Sequence, residues 1–148
     1  MHSPSHEEPR SREELSELLS LADPQALVEA ANQCITEATL TVVRGPEVGT
    51  VATQVREPIA GTRFLLADVL VSSAEVTLDG TPGWAMRLGA DRPAALAQAI
   101  CDAELARDGR LAEHLHRLCS DIATTRDLDR AAEWERLAPT VVEFEEVL

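Results

Sequence analysis

The 148-residue chain is 45% hydrophobic, which suits one domain with a buried core and argues against a second. It contains 26 acidic residues and 13 arginines but no lysine, and its net charge of −13 disfavours nucleic-acid binding, which depends on a basic face. The most apolar stretch, residues 64–71, is interrupted by Asp68, and the first ten residues are polar, so neither a membrane span nor a targeting peptide is predicted and a cytoplasmic location is expected.

Two short helices are predicted near the N terminus, after a disordered tail at residues 1–10. The run Ser11-Arg12-Glu13-Glu14 is a capping box, which starts the first helix of a single domain at residues 11–148. The apolar stripe of this helix consists of Leu15, Leu18, Leu19 and Ala22. Asp23 and Pro24 suit the N-cap and first position of a second helix. Its buried side is expected to comprise Leu27, Val28, Ala31 and Cys34.

The middle of the chain changes to β-branched residues in alternation and predicts an antiparallel meander of four to five strands. Two strands, at residues 40–42 and 51–55, are expected on either side of a turn at Gly45-Pro46. The most apolar strand is predicted at residues 64–71, and a further strand at residues 74–78 leads into the hairpin signal Asp79-Gly80. Phosphate binding by the backbone of residues 79–83 is the less favoured alternative.

The alternation also assigns the two faces of the sheet. Trp84, Met86 and Leu88 continue the apolar face after the hairpin, and helices are expected to cover that face. The opposite face is predicted to be polar and to carry Gln54, Arg56, Glu75, Thr77 and Arg87.

Three helices are predicted after the sheet. Asp91-Arg92-Pro93 starts the first, which Gly109 ends, and its apolar side comprises Leu96, Ala99, Ile100 and Ala103. The apolar stripe of the second of these helices consists of Leu111, Leu115, Leu118 and Ile122. A break at Thr124-Thr125 precedes a shorter helix at about residues 128–137, and Pro139 leaves residues 141–147 as an extended tail. The predicted fold class is α+β, an antiparallel sheet of four to five strands with helices at both ends of the chain packed against it.

Patterns typical of catalysis are lacking. The sequence has no nucleophile elbow, Walker motif, zinc-protease motif or dinucleotide fingerprint, and without lysine it cannot form a Schiff base. His114 and His116 would point in opposite directions on a helix, so they could not hold one metal ion from a single face. Paired acids are expected to be solvated: Glu13-Glu14, Asp127 with Asp129, and Glu145-Glu146. Buried free thiols are expected at Cys34, Cys101 and Cys119. We therefore predict no catalytic, cofactor-binding or metal-binding residue.

A set of residues in the middle of the chain matches a known family in order and spacing. The set comprises Arg44, Glu47, Gly49, Val51, Gln54, Arg56, Gly61, Arg63, Phe64, Asp68, residues 76–81, Gly83, Gly89, Asp91, Ala99, Asp102 and Ala103. The arrangement resembles the PhnG family of the phosphonate carbon–phosphorus lyase system over about residues 38–105, with a weaker echo at residues 140–144. The family usually has a tryptophan in its first helix and a second aromatic residue directly after the phenylalanine that matches Phe144. This chain has no tryptophan in its first helix and has Glu145 at the second of these positions.

The resemblance implies a subunit of the carbon–phosphorus lyase core complex, bound to the H, I and J subunits and most directly to the I subunit. With the I, H and L proteins, such a subunit is implicated in displacing adenine from ATP by an alkylphosphonate, which gives ribose 1-alkylphosphonate 5-triphosphate. It would be a required part of a multi-subunit transferase, and the chain alone is not expected to be catalytic. ATP would be the substrate of the complex, with no cofactor bound by this chain. Adenine removal is attributed to the I subunit, and later carbon–phosphorus cleavage, by iron–sulfur radical chemistry, to the J subunit.

Two other classes of protein stay open on the residues alone. A free-standing acidic chaperone or adaptor has this size and low pI, and would present an apolar groove to a client. An independent phosphoryl-transfer enzyme would need converging arginines with a base or metal site. Two interpretations fit Arg56, Arg63 and Arg87. They are solvated or locally paired surface arginines, or, in a subunit of a complex, at least one pairs with a carboxylate of the partner. Arg63 is the first choice because it lies beside Phe64 at the start of the most apolar strand.

Overall fold

The computed structural model describes residues 8–140, and their order of helices and strands confirms the α+β class. The elements are α1 (Arg12–Ser20), α2 (Pro24–Cys34), β1 (Leu40–Arg56), β2 (Arg63–Leu78), β3 (Thr81–Leu88), α3 (Arg92–Ala106) and α4 (Ala112–Leu137), followed by a 3-10 turn at Ala138–Thr140. Three predicted features lie wholly or mostly outside the described residues. They are the tail at residues 1–10, the tail at residues 141–147 and the weaker family resemblance at residues 140–144.

Three helices begin where the sequence predicts, because each has a side chain that accepts a hydrogen bond from a first-turn backbone N–H that has no partner within the helix. Ser11 Oγ accepts from the Glu14 N–H at 3.2 Å, Asp23 Oδ2 from Ala26 at 3.2 Å and Asp91 Oδ1 from Ala94 at 3.0 Å. α2 and α3 each also have a proline in the first turn, where no N–H is needed. Local signals alone therefore determine these starts.

The sheet has three antiparallel strands in the order β1-β2-β3, so the prediction of four to five strands was wrong. The turn predicted at Gly45-Pro46 is a bulge within β1: pairing passes from Arg44 opposite Glu75 to Glu47 opposite Ser73, which places one extra residue in β1. Gly45 has a φ of +76°, a conformation that glycine adopts without steric cost. The chain therefore bends at this point but continues as one strand, as β2 does through residues 72 and 73.

The hairpin predicted at Asp79-Gly80 is confirmed. Both residues have positive φ, 47° and 81°, as a two-residue type I′ turn requires. The Asp79 carboxylate accepts from the Thr39 N–H at 2.8 Å and from Arg107 at 2.7 Å, and the backbone hydrogen bond, followed by the arginine, lowers the pKa of Asp79. This turn joins β2 to β3 and is held by the flanking elements.

α3 packs across one face of the sheet, which we term the covered face. Apart from the buried Arg87, its strand residues are small or branched, among them Ala74, Val76, Leu78, Gly83 and Ala85. The approach is so close that a Cβ on Gly83 would lie 2.2 Å from the carbonyl oxygen of Ala99. The predicted faces of β3 were therefore wrong, because small residues allow α3 to approach whereas Trp84 and Leu88 are exposed on the other face.

α4 runs without interruption through Thr124-Thr125, so the predicted break was wrong. The hydroxyl of Thr124 donates to the Ser120 carbonyl at 3.0 Å, one turn back, and so satisfies its polar group within the helix. In the part of the chain that the structure describes, no helix is both long enough and apolar enough to cross a membrane.

Candidate partner interface

β1 and β2 extend beyond the end of β3 as a two-stranded hairpin, residues 50–70, which we term the arm. β3 pairs with residues 71–78 of β2, so the arm has no third strand beside it, and none of its residues is buried. Residues 57–62 form its loop, which a hydrogen bond from the Glu57 N–H to the Thr62 carbonyl closes at 2.8 Å. At about 3.4 Å per residue, the seven arm residues of β1 span about 24 Å.

One face of the arm is apolar along its length. Val51 lies opposite Val69 and Val55 opposite Phe64, and residues opposite each other in a sheet share a face. The same face continues into the body of the sheet, on the side away from α3. The apolar residues of this open face, as we term it, are Val51, Val55, Phe64, Val69, Val71, Trp84, Met86 and Leu88, and the polar side chains of Thr53, Ser73 and Glu75 lie among them. Leu88 is 75% exposed, Phe64 47% and Trp84 41%, so large apolar side chains lie in water here.

A groove of about 490 Å³ lies on the open face where the arm meets the body. Ser20 and Leu21, at the end of α1, form one wall, and the three strands form the floor. Most of the lining is apolar, as in sites that bind an apolar group. The groove is therefore a recess in the open face, into which a partner side chain can insert.

The three candidate arginines are separated in the structure. Arg56 and Arg63 lie directly opposite each other at the tip of the arm, and both are exposed. Arg87 is only 9% exposed, donates to the carbonyl of Ala22 at 2.9 Å and contacts Gln98 Oε1 at 3.4 Å. Burial lowers the pKa of the Arg87 guanidinium. The placement of Arg87 on a polar, exposed face was therefore wrong, because Arg87 fastens the corner between α1 and α2.

Two buried carboxylates on α3 are engaged within the chain. Asp102 accepts from the Trp84 N–H and from Arg12, both at 2.9 Å, and so ties α3 to β3 and α1. Glu104 accepts from Arg107 at 3.2 Å. These internal partners indicate a structural role for both acids, since a buried charge needs compensation.

The three cysteines are buried and free, as predicted. Burial raises the pKa of Cys34 to about 12, with Glu104 adding to the effect, and that of Cys119 to about 11. Burial raises the pKa of Cys101 as well, and thiols in this state are poor nucleophiles. His114 and His116 are exposed on α4, and residues 8–140 contain no group of three or more His, Cys, Asp or Glu side chains placed to hold a metal ion.

Comparison with known families covers nearly the whole chain. The family model described as "Phosphonate metabolism protein PhnG" matches residues 10–148. The chain belongs to this PhnG family. The resemblance seen in the sequence is thereby confirmed, and the chain takes part in phosphonate metabolism. Comparison with curated protein sequences returns no match.

Many of the residues that match the PhnG family in order and spacing maintain the fold. Gly83 admits α3, Asp91 caps it and Asp102 ties it to β3. Others, including Arg56 and Phe64, lie on the arm. Leu88 and Trp84 were predicted to face the core and are surface residues, and the alternating small residues at positions 83 and 85 are the signal that could have revealed this.

Proposed function

We propose that this chain is a subunit of the phosphonate carbon–phosphorus lyase core complex and binds the I subunit through the open face. The complex, with the H and J subunits, would act in the cytoplasm. This chain would support the transferase step that forms ribose 1-alkylphosphonate 5-triphosphate from ATP and an alkylphosphonate. In that step the I subunit would remove the adenine that the alkylphosphonate displaces, and the J subunit would later cleave the carbon–phosphorus bond. ATP is the substrate of the complex, and this chain holds no cofactor of its own.

The observation that carries the proposal is the set of exposed apolar side chains on the open face, from Val55 and Phe64 on the arm to Trp84 and Leu88 on the body. A two-stranded hairpin is only marginally stable in water, and contiguous exposed apolar surface marks interaction sites. A permanent partner would remove side chains such as Phe64 and Leu88 from water and hold the arm in place. The engagement of Asp102 and Glu104 by internal partners also favours docking over catalysis.

Substitution on the open face tests the proposal. We expect Leu88→Glu to weaken binding of the co-expressed I subunit about 30-fold or more, because it would bury an unpaired carboxylate at an apolar contact. Leu128→Glu is the matched control, since Leu128 is 66% exposed on α4 and lies off the open face. Affinity purification followed by titration calorimetry of the two purified proteins measures the effect.

Two results would count against docking on the I subunit. One is clean separation of the unaltered chain from the I subunit at physiological salt. The other is equal binding by Leu88→Glu and the unaltered chain, which would move the interface off the open face. Retention of unfolded client proteins by the chain alone would instead support the chaperone alternative.

A further inference from the structure

The tip of the arm brings two positive charges together. Arg56 and Arg63 are opposite each other in the antiparallel register, on the face of the arm that turns away from Val55 and Phe64. Opposite residues in such a pair have Cβ atoms about 4.5–5.5 Å apart, and like charges placed in this way are destabilising. The tip therefore carries an electrostatic cost in the isolated chain.

No acid of the described chain offsets this cost. Within residues 8–140 neither Arg56 nor Arg63 forms an ion pair, although Arg12, Arg44 and Arg107 do. The acid beside the pair, Glu57, uses its two carboxylate oxygens to accept from the N–H groups of Ile59 and Ala60, at 2.7 and 2.6 Å. Although the chain has 26 acidic residues, no carboxylate of residues 8–140 pairs with either of the two adjacent arginines at the tip.

The surroundings of the pair suit a dehydrated contact. Leu65 lies on the same face as Arg63 and is 60% exposed, and Ile59 extends from the loop. Charge-assisted hydrogen bonds between arginine and carboxylate are strong and geometrically specific where neighbouring apolar groups exclude water. The tip thus presents two guanidinium groups beside apolar side chains.

We propose that the tip of the arm inserts into an acidic pocket of the partner subunit, where carboxylates bind Arg56 and Arg63. This inference rests on the proposed function, since the partner is the subunit that covers the arm. Charge complementarity identifies the occupant as an acidic protein surface. A second copy of the chain is disfavoured, because two molecules of net charge −13 repel each other.

Neutral variants of the two arginines test the proposal in the complex with the I subunit. We expect Arg56→Gln and Arg63→Gln each to weaken binding about 30-fold, and the double variant by more. Binding by the double variant should also depend less on salt concentration than binding by the unaltered chain. The affinity of Arg63→Lys should lie between those of the unaltered chain and Arg63→Gln, because lysine keeps the positive charge but cannot form the bidentate hydrogen bonds of arginine.

The control is Arg117→Gln, which removes one charge from an exposed arginine on α4 that lies away from the arm. It should bind as the unaltered chain does. The double variant should unfold at the same denaturant concentration or a higher one, because it removes repulsion at the tip. That outcome shows that weaker binding does not arise from misfolding.

The outcomes separate the two proposals. If the unaltered chain does not bind the I subunit, the proposed function and this inference both fail. If the double variant binds as tightly as the unaltered chain, with the same salt dependence, this inference is overturned and the proposed function stands. Weaker binding of the double variant only when ATP is present would also overturn it, since the arginines would then contact the nucleotide.

Discussion

Arg87 is a buried cation whose partners are a backbone carbonyl and a side-chain amide. We expect Arg87→Ala to lower the free energy of unfolding by about 2 kcal/mol, because hydrogen bonds from a charged group are worth about 1.5–3 kcal/mol and the Ala22 carbonyl would lose its donor. Urea denaturation measures the loss. Arg117→Ala, at an exposed site, should change the free energy of unfolding by less than about 0.5 kcal/mol. A similarly small change for Arg87→Ala would contradict the structural role of Arg87.

The buried thiols link stability to alkaline pH. Free cysteine ionises near pH 9.0, whereas the folded pKa is about 12 for Cys34 and about 11 for Cys119. As the pH rises above about 9, the unfolded chain loses thiol protons that the folded chain keeps, so the free energy of unfolding falls. Below about pH 9 this contribution is fully present. Because the chain has no lysine and no tyrosine, few other groups titrate in that range.

Denaturation at several pH values between about 8 and 11 tests this link. We expect Cys34→Ala to reduce the decline in unfolding free energy, because one of the shifted thiols is then absent. His114→Gln, at an exposed site on α4, should leave the decline unchanged. An equal decline in Cys34→Ala and the unaltered chain would show that other groups cause it.

The contact between β3 and α3 sets a limit on side-chain size at Gly83. We expect Gly83→Ala to destabilise the fold by about 3 kcal/mol, since the new methyl group would overlap the backbone of Ala99 and force α3 away from the sheet. Gly49→Ala, in β1, is the matched control, because a Cβ there meets no atom within 4 Å. Thermal unfolding of both variants measures the difference. Equal stability of the two would mean that α3 moves away at no cost.

Three helix starts were predictable from this sequence, whereas the continuity of α4 and the strand boundaries were not. The caps Ser11, Asp23 and Asp91 act within one turn, so the local sequence contains the whole signal. The bulge at Gly45 is defined by the pairing of β1 with β2, two segments far apart along the chain. Hydrophobic alternation also ranks Trp84 above Ala85 for burial, whereas the close approach of α3 favours the smaller residue.

The candidate interface was predictable only in part. Arg63 was predicted to contact a partner from its place beside Phe64, and both residues lie on the arm. Leu88 was predicted in the core and Arg87 on the surface, and the structure reverses both. The arm is exposed because β3 ends opposite Val71 of β2. No local sequence pattern predicts where along β2 that pairing ends.

At the scale of the whole molecule, a helix-covered body carries an arm in which no residue is buried, and Ser20 and Leu21 of the body line the groove at its base. The regions before and after residues 38–90 hold most of the acidic residues, whereas the region that contains the arm is nearly neutral. Acidic flanks keep the body hydrated, and the near-neutral, apolar arm is left available for contact. Negative charge is thus concentrated in the regions outside the arm, and the arm itself has little net charge.

The arm also determines where a protease first cuts. Trypsin cleaves only after arginine in this lysine-free chain, and exposed loop tips are nicked before regular elements. We expect the first cuts after Arg56 and Arg63, which would release residues 57–63 as a short peptide while pairing between β1 and β2 holds the two remaining pieces together. Mass spectrometry detects the peptide, and a first cut within α4, after Arg117, would contradict the expectation. A bound partner should suppress its release, so the appearance of this one fragment over time would follow the detachment of the subunit from its complex.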